Sequence, residues 1–133
     1  MKRLLPVLTL LLTLGACTVY DVEPRYDSRT KLVGKYEMEE YSDTYNDLSY
    51  YSIYITKSAY AGEIYIDNFY ASDILVRALV QNDRITIPPQ VVNGFEVEGS
   101  GSIYGGNVSL TYRVRDRYEN TAADFCNSTA RPY

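Results

Sequence analysis

Histidine and tryptophan are absent from the 133 residues, and cysteine occurs only twice, at Cys17 and Cys126. Without histidine there is no Ser-His or Cys-His pair to activate a nucleophile, and no imidazole to hold a metal. Cys126 lies in a polar stretch with no base beside it, so no catalytic residue, cofactor or resident metal is expected. Basic residues are also scarce: 13 against 17 acidic ones give a net charge of −4. That balance argues against nucleic acid as a partner, because phosphate binding needs a basic face. The longest apolar run, Leu4 to Leu14, spans eleven residues, well short of the roughly twenty that cross a bilayer as a helix. What the chain has in abundance is tyrosine, with 15 copies.

The first seventeen residues form a distinct unit. Lys2 and Arg3 are a positive start, Leu4 to Leu14 an apolar run broken by Pro6 and two threonines, and Gly15-Ala16 precede Cys17. This order reads as an export signal. Leu14-Gly15-Ala16-Cys17 resembles the lipobox of bacterial lipoproteins. The resemblance implies a diacylglycerol on the Cys17 thiol, cleavage before Cys17, and acylation of the new amine by a chain such as palmitate. Two or three acyl chains hold a protein on a membrane where one is marginal. Thr18 stands where an aspartate would signal retention in the inner membrane, so the resemblance implies a lipid anchor in the outer membrane.

Cleavage there removes 16 of the 133 residues and leaves 117, with 11 basic and 17 acidic side chains. That length is one domain with a modest core. Residues 17–31, polar and containing Pro24, read as the lipidated cysteine and a flexible tether. Residues 32–118 alternate β-branched and aromatic side chains with polar ones, the period of a strand. Residues 119–133 are polar apart from Ala122, Ala123, Phe125 and Cys126, and read as a tail of short helix or coil.

Turn signals set testable registers in the body of the chain. Asn93-Gly94 suits a type I′ turn and places Val92 opposite Phe95. Gly105-Gly106 places Tyr104 opposite Asn107, and hence Gly101 opposite Leu110, Gly99 opposite Tyr112 and Val97 opposite Val114. A strand glycine leaves room for a large neighbour, so the Tyr112 ring is expected over Gly99. Asn82-Asp83 pairs Val80 with Ile85 and Ala78 with Ile87, and Pro88-Pro89 then forces a bulge. Upstream, Ile55 is expected opposite Ile64, with Tyr54 meeting Tyr65 and Tyr50 meeting Phe69 on the other face. The fold class is therefore all-β, an antiparallel meander of about seven to eight strands closing into a small barrel, with a β-sandwich as the alternative.

Gly34-Lys35-Tyr36 at the first strand, with Arg113 or Arg115 on the last, is similar to the lipocalin and wider calycin pattern, in which a Gly-x-Trp packs against a basic residue. The resemblance implies barrel closure and an interior that binds a small apolar ligand, lined here by Tyr36, Tyr51 and Tyr112. The alternative class is an envelope protein-interaction or structural module. Its contact surface would be an outward ladder of Tyr50, Tyr54, Tyr65 and Phe69, since aromatics bring large area with a polar tip. Two carboxylate pairs, Glu96 with Glu98 and Glu37 with Glu39, have the residue types of glycosidases, but acids alternating along a strand share a solvated face. The acidic stretch Glu39 to Asp47 lacks the spacing and turn glycine of a calcium loop and reads as a soluble connection. Cys126 reads as a small apolar residue packed beside Phe125.

Overall fold

The computed structural model describes residues 27–119 and 122–133. After a single 3-10 turn, Thr30–Leu32, come eight strands: β1 Gly34–Ser42, β2 Asp47–Lys57, β3 Glu63–Phe69, β4 Ile74–Gln81, β5 Arg84–Val92, β6 Phe95–Tyr104, β7 Asn107–Asp116 and β8 Asp124–Pro132. Each strand is antiparallel to its neighbour in sequence and β8 returns to β1, so the sheet is a closed up-and-down barrel. This is the small lipocalin-like architecture, and closure removes both free edges of the sheet.

The tight turns hold the registers that their residues dictate. Asn93 and Gly94 both take positive φ, 49° and 84°, as do Gly105 and Gly106 at 58° and 81°, the conformation that matches the twist of a two-residue hairpin. Val92 faces Phe95, and β6 and β7 pair Tyr104 with Asn107, Gly101 with Leu110, Gly99 with Tyr112 and Val97 with Val114. Val80 faces Ile85, but the β4–β5 ladder ends at Leu79 and Thr86, before Ala78 and Ile87 meet. Pro88-Pro89 does produce the bulge, with register shifting between Ile87 and Gln90.

Three expectations need correction. Ile55 faces Ile66, not Ile64, and Tyr54 therefore faces Asp67 while Tyr65 faces Thr56. The slip is two residues, which preserves faces. Phe69 is inside, fully buried, because β3 bulges between Ile66 and Phe69 and Asn68 takes φ 61°. The extra residue restores an inward direction three positions after Ile66. Residues 124–132 are neither helix nor coil but β8, the strand that closes the barrel.

The two ends of the barrel differ. At one end the Thr30–Leu32 turn is a plug. Leu32 is buried, and its carbonyl accepts the Tyr36 hydroxyl at 2.9 Å. Arg29 donates from one guanidinium nitrogen to the carbonyls of Ser58 (3.1 Å), Tyr60 (2.9 Å) and Glu63 (2.9 Å), tying the plug to the β2–β3 loop. Asp27 holds the other side of that guanidinium with two bonds of 2.9 Å. Arg113 and Arg115, expected against Tyr36, instead lie on β7 and face outward, paired with Glu98 and Glu96.

Gly101 marks the tightest contact in the sheet. A Cβ built there would stand 2.1 Å from the Ser109 carbonyl oxygen and 2.6 Å from Leu110 Cδ2, and one at Gly99 would stand 2.5 Å from the Thr111 carbonyl oxygen and from Tyr112 Cβ. At Gly99 the nearest atoms are thus backbone and the Tyr112 Cβ. Gly101→Ala is expected to destabilise by about 1–3 kcal/mol, the usual cost of overpacking. Urea unfolding measures it, and an unchanged midpoint would remove the steric role of this glycine.

Candidate functional site

Tyr36, Tyr51 and Tyr112 all point inward, as alternation from Met38 and Ile53 requires, yet they line no common space. Tyr36 stands at the plugged end, 3% exposed and bonded to Leu32. Tyr51 and Tyr112 meet near the other end with their hydroxyl oxygens 3.3 Å apart. Between these ends Met38, Ile53, Ile66, Phe69, Val76 and Leu110 are each less than 2% exposed. The Phe69 ring tilts against Tyr112 at a centroid distance of 4.5 Å. An eight-stranded barrel is just wide enough for its own side chains to fill, and here isoleucine and valine fill it. Five hollows among the described residues, of about 150 to 520 Å3, are lined from the outer wall and the two ends.

The open end carries an internal polar cluster. Glu40 and Ser42 continue the inward parity of Tyr36 and Met38 on β1, and both are buried. The Tyr51 hydroxyl donates to Glu40 Oε1 at 2.8 Å. Asp124, at the start of β8, accepts from Ser42 Oγ and from the Tyr70 hydroxyl, each at 2.5 Å. Cys126 is free and buried on the same strand. Burial pushes the Glu40 carboxyl up to about 7, helped by the nearby Asp124 and opposed by the bond from Tyr51. Burial also raises Tyr51, Tyr70 and the Cys126 thiol, with Glu40 and Asp124 adding to the effect. Among the described residues no buried side-chain polar atom lacks a partner, so the cluster is satisfied within the protein.

Of these residues only Tyr51 and Tyr112 are sequence-derived candidates. Glu40 is misplaced by reading Glu39 to Asp47 as one acidic connection, whereas Glu39 to Ser42 belong to β1 and the turn is residues 43–46. The β1 parity alone points Glu40 inward. Cys126 faces inward and Phe125 outward, 54% exposed, so the two do not pack together.

The outer face divides the proposed ladder. Tyr50 and Tyr54 on β2 are 62% and 48% exposed, and Tyr65 on β3 is half-buried. Phe69 belongs to the core. Tyr54 and Tyr65 are diagonal neighbours across β2 and β3, and Tyr50 lies opposite Glu39 of β1. Glu96, Glu98 and Glu39 also stand on the outer wall, paired with Arg115 and Arg117, Arg113, and Arg131. Glu37 accepts from Ser52 Oγ. These acids are engaged in cross-strand contacts rather than converging in a cleft. Cys17 lies outside the described residues.

No family model matches the chain, and no curated protein matches it.

Glu40 makes stability depend on pH. Its carboxyl is raised from 4.5 to about 7 in the fold, so the folded chain keeps a proton that the unfolded chain gives up in that window. Stability is then fully present below pH 4.5 and is lost as pH rises through 7. Glu40→Gln keeps an acceptor for Tyr51 without the charge. Between pH 4 and pH 8 the wild type should lose about 3 kcal/mol relative to this variant, read from urea unfolding at both pH values. Parallel pH curves would show that Glu40 is not the group responsible.

Proposed function

We propose that this protein is a non-catalytic interaction module of the bacterial envelope, held on the outer membrane by lipid on Cys17. The observation that carries the reading is the packed interior. A barrel that binds a small apolar ligand needs space between Tyr36, Tyr51 and Tyr112, and that space is occupied by core side chains buried to within 2%. Outside, Tyr50, Tyr54, Tyr41 and Leu48 are exposed together on the β1–β2 wall. Aromatic side chains of this kind anchor protein contacts because they bury large area at low entropic cost.

The chain enters the barrel at its plugged end, where Arg29 and the 3-10 turn sit against the β2–β3 loop. An anchor at Cys17 is ten residues before Asp27, a covalent reach of at most about 35 Å. The plugged end then lies nearest the bilayer, and the β1–β2 wall stands upright beside it, open to partners in the same compartment.

A photo-crosslinking residue at position 54 in growing cells tests the reading, with position 100 on β6, across the barrel from β2, as control. A discrete protein adduct is expected from 54 and not from 100. The pair Tyr54→Ala and Tyr65→Ala should reduce adducts from a crosslinker at position 50 at least tenfold, with a melting temperature lowered by only a few degrees. No adduct from any of these positions, together with a stoichiometric small molecule on the native protein in mass spectra, would replace this reading with interior ligand binding.

A further inference from the structure

The barrel is closed in topology, but two of its seams are short. β4 and β5 share three residue pairs, and β2 and β3 share four, from Tyr54 with Asp67 to Lys57 with Ile64. The first seam is mended by a side chain: Gln90 accepts from the Arg77 N–H at 3.1 Å and donates to the Arg77 carbonyl at 2.9 Å, replacing a strand neighbour. The second is not mended in the same way. Beyond Tyr54 no ladder pair follows among the described residues; a bond from Asn68 Nδ2 to the Ser52 carbonyl (2.8 Å) and the Tyr70 N–H against the Tyr51 hydroxyl join the two sides.

The geometry of β3 explains the opening. Asn68, Tyr70, Ala71 and Asp73 all take φ between 50° and 61°, which curls the chain after Asp67 back on itself. The loop bonds internally, Ala71 N–H to the Asn68 carbonyl and Ser72 N–H to the Phe69 carbonyl, and among the described residues β2 has no paired strand from Asp47 to Ile53 on that side. Backbone groups in an antiparallel strand point alternately to its two sides. Ser58 N–H bonds the Glu63 carbonyl and Ser52 offers its carbonyl to Asn68, so the even-numbered residues of β2 point toward β3. Leu48 and Tyr50 therefore aim their N–H and C=O groups into the open seam, while their side chains are 47% and 62% exposed.

An uncovered edge of this kind templates strand pairing, and proteins ordinarily block it with charge, proline or a covering element. The charge around this edge is one-sided. Asp47 begins it, Glu39 and Glu37 lie opposite Tyr50 and Ser52 on β1, Asp67 faces Tyr54, and Asp73 ends the neighbouring loop. Of the nearby cations, Arg131 pairs with Glu39 itself, Lys35 lies over the Tyr133 ring and Arg77 lies opposite Tyr65 on β4, which leaves Asp47, Asp67 and Asp73 as the acids nearest the open edge. A second copy of this chain would bring the same carboxylates face to face, which is unfavourable across paired strands.

We propose that the β2 edge from Leu48 to Ser52 takes up an extended, lysine- or arginine-bearing segment of an envelope partner by strand addition. The Leu48 and Tyr50 backbone groups form the ladder, and cationic stems lie along Tyr50 and Leu48 with their heads at Asp47 and Asp67. This deepens the interaction-module reading, on which it rests, by giving the partner's chemistry and its mode of attachment.

The probe is a capped (Lys-Val)4 peptide carrying a fluorophore, with (Lys-Pro)4 as a control of equal charge that cannot donate backbone hydrogen bonds. Full-length protein in neutral detergent micelles should bind (Lys-Val)4 at least tenfold more tightly than (Lys-Pro)4. Binding should slow amide exchange at Leu48 and Tyr50 at least tenfold. Tyr50→Pro deletes the N–H aimed into the seam while sparing the β1 ladder, and should weaken (Lys-Val)4 at least tenfold. If that variant does not fold, the exchange pattern of the wild type decides. Equal binding of both peptides, or protection elsewhere on the barrel, would overturn strand addition. So would edge protection without peptide alongside a doubled mass, which would mean a second copy. A position-54 adduct that survives Tyr50→Pro would sink this proposal and leave the interaction-module reading standing, whereas loss of every adduct in the wild type would sink that reading itself.

Discussion

The β1–β8 ladder is the constraint on which everything else depends. Seven residue pairs, from Tyr36 with Pro132 to Ser42 with Cys126, turn a meander with two free edges into a cylinder. Without that ladder β1 would present an open row of backbone groups, and the inward residues of β8 would lose the enclosure that buries them. Closure also fixes what the interior is. Eight strands leave room for side chains and little else, and Ile53, Ile66, Val76, Ile85 and Leu110 take that room.

Closure has a polar corollary at the open end. β8 brings Asp124 and Cys126 inside, next to Glu40 and Ser42 of β1 and the hydroxyls of Tyr51, Tyr70 and Tyr112. Such groups stabilise less than apolar packing would, since each carboxyl must be desolvated before its bonds are made. What they add is connection, because Asp124 bonds both Ser42 of β1 and Tyr70 of the β3–β4 loop. The raised Glu40 carboxyl reflects that desolvation, with the nearby Asp124 adding to it. The other end uses a different device, a single guanidinium spanning three carbonyls, and so the chain is stapled where it enters and hydrogen-bonded internally where it opens.

The parts of the fold that were legible in the sequence are those where a local signal and the period of two agree. Asn93-Gly94 and Gly105-Gly106 each set a turn type, and alternation carried the register through ten pairs of β6 and β7. β8 was hidden because its inward positions are Asp124, Cys126, Ser128 and Ala130 while Phe125 points out, an inversion of the usual pattern that only the neighbouring tyrosines can accommodate. Phe69 was misassigned because parity cannot be carried across an unseen bulge, and nothing in Asp67-Asn68 beyond the tolerance of asparagine for positive φ announces one. Glu40 was the reverse case. Parity from Tyr36 and Met38 placed it inside, and its charge argued it out.

The same bulge that buries Phe69 connects core to surface. Phe69 fills the interior against Tyr112 only because the chain takes an extra residue at Asp67-Asn68, and the left-handed run that follows withdraws β3 from β2. A regular β3 would have continued the ladder past Tyr54 and sent an outward residue to position 69, covering the β2 edge and leaving the space beside Tyr112 empty. Filling the core and opening the seam are therefore one structural event. A barrel that gains its packed interior this way cannot also be sealed along β2. The side chain that fills the interior beside Tyr112 is the one whose placement opens the seam along β2.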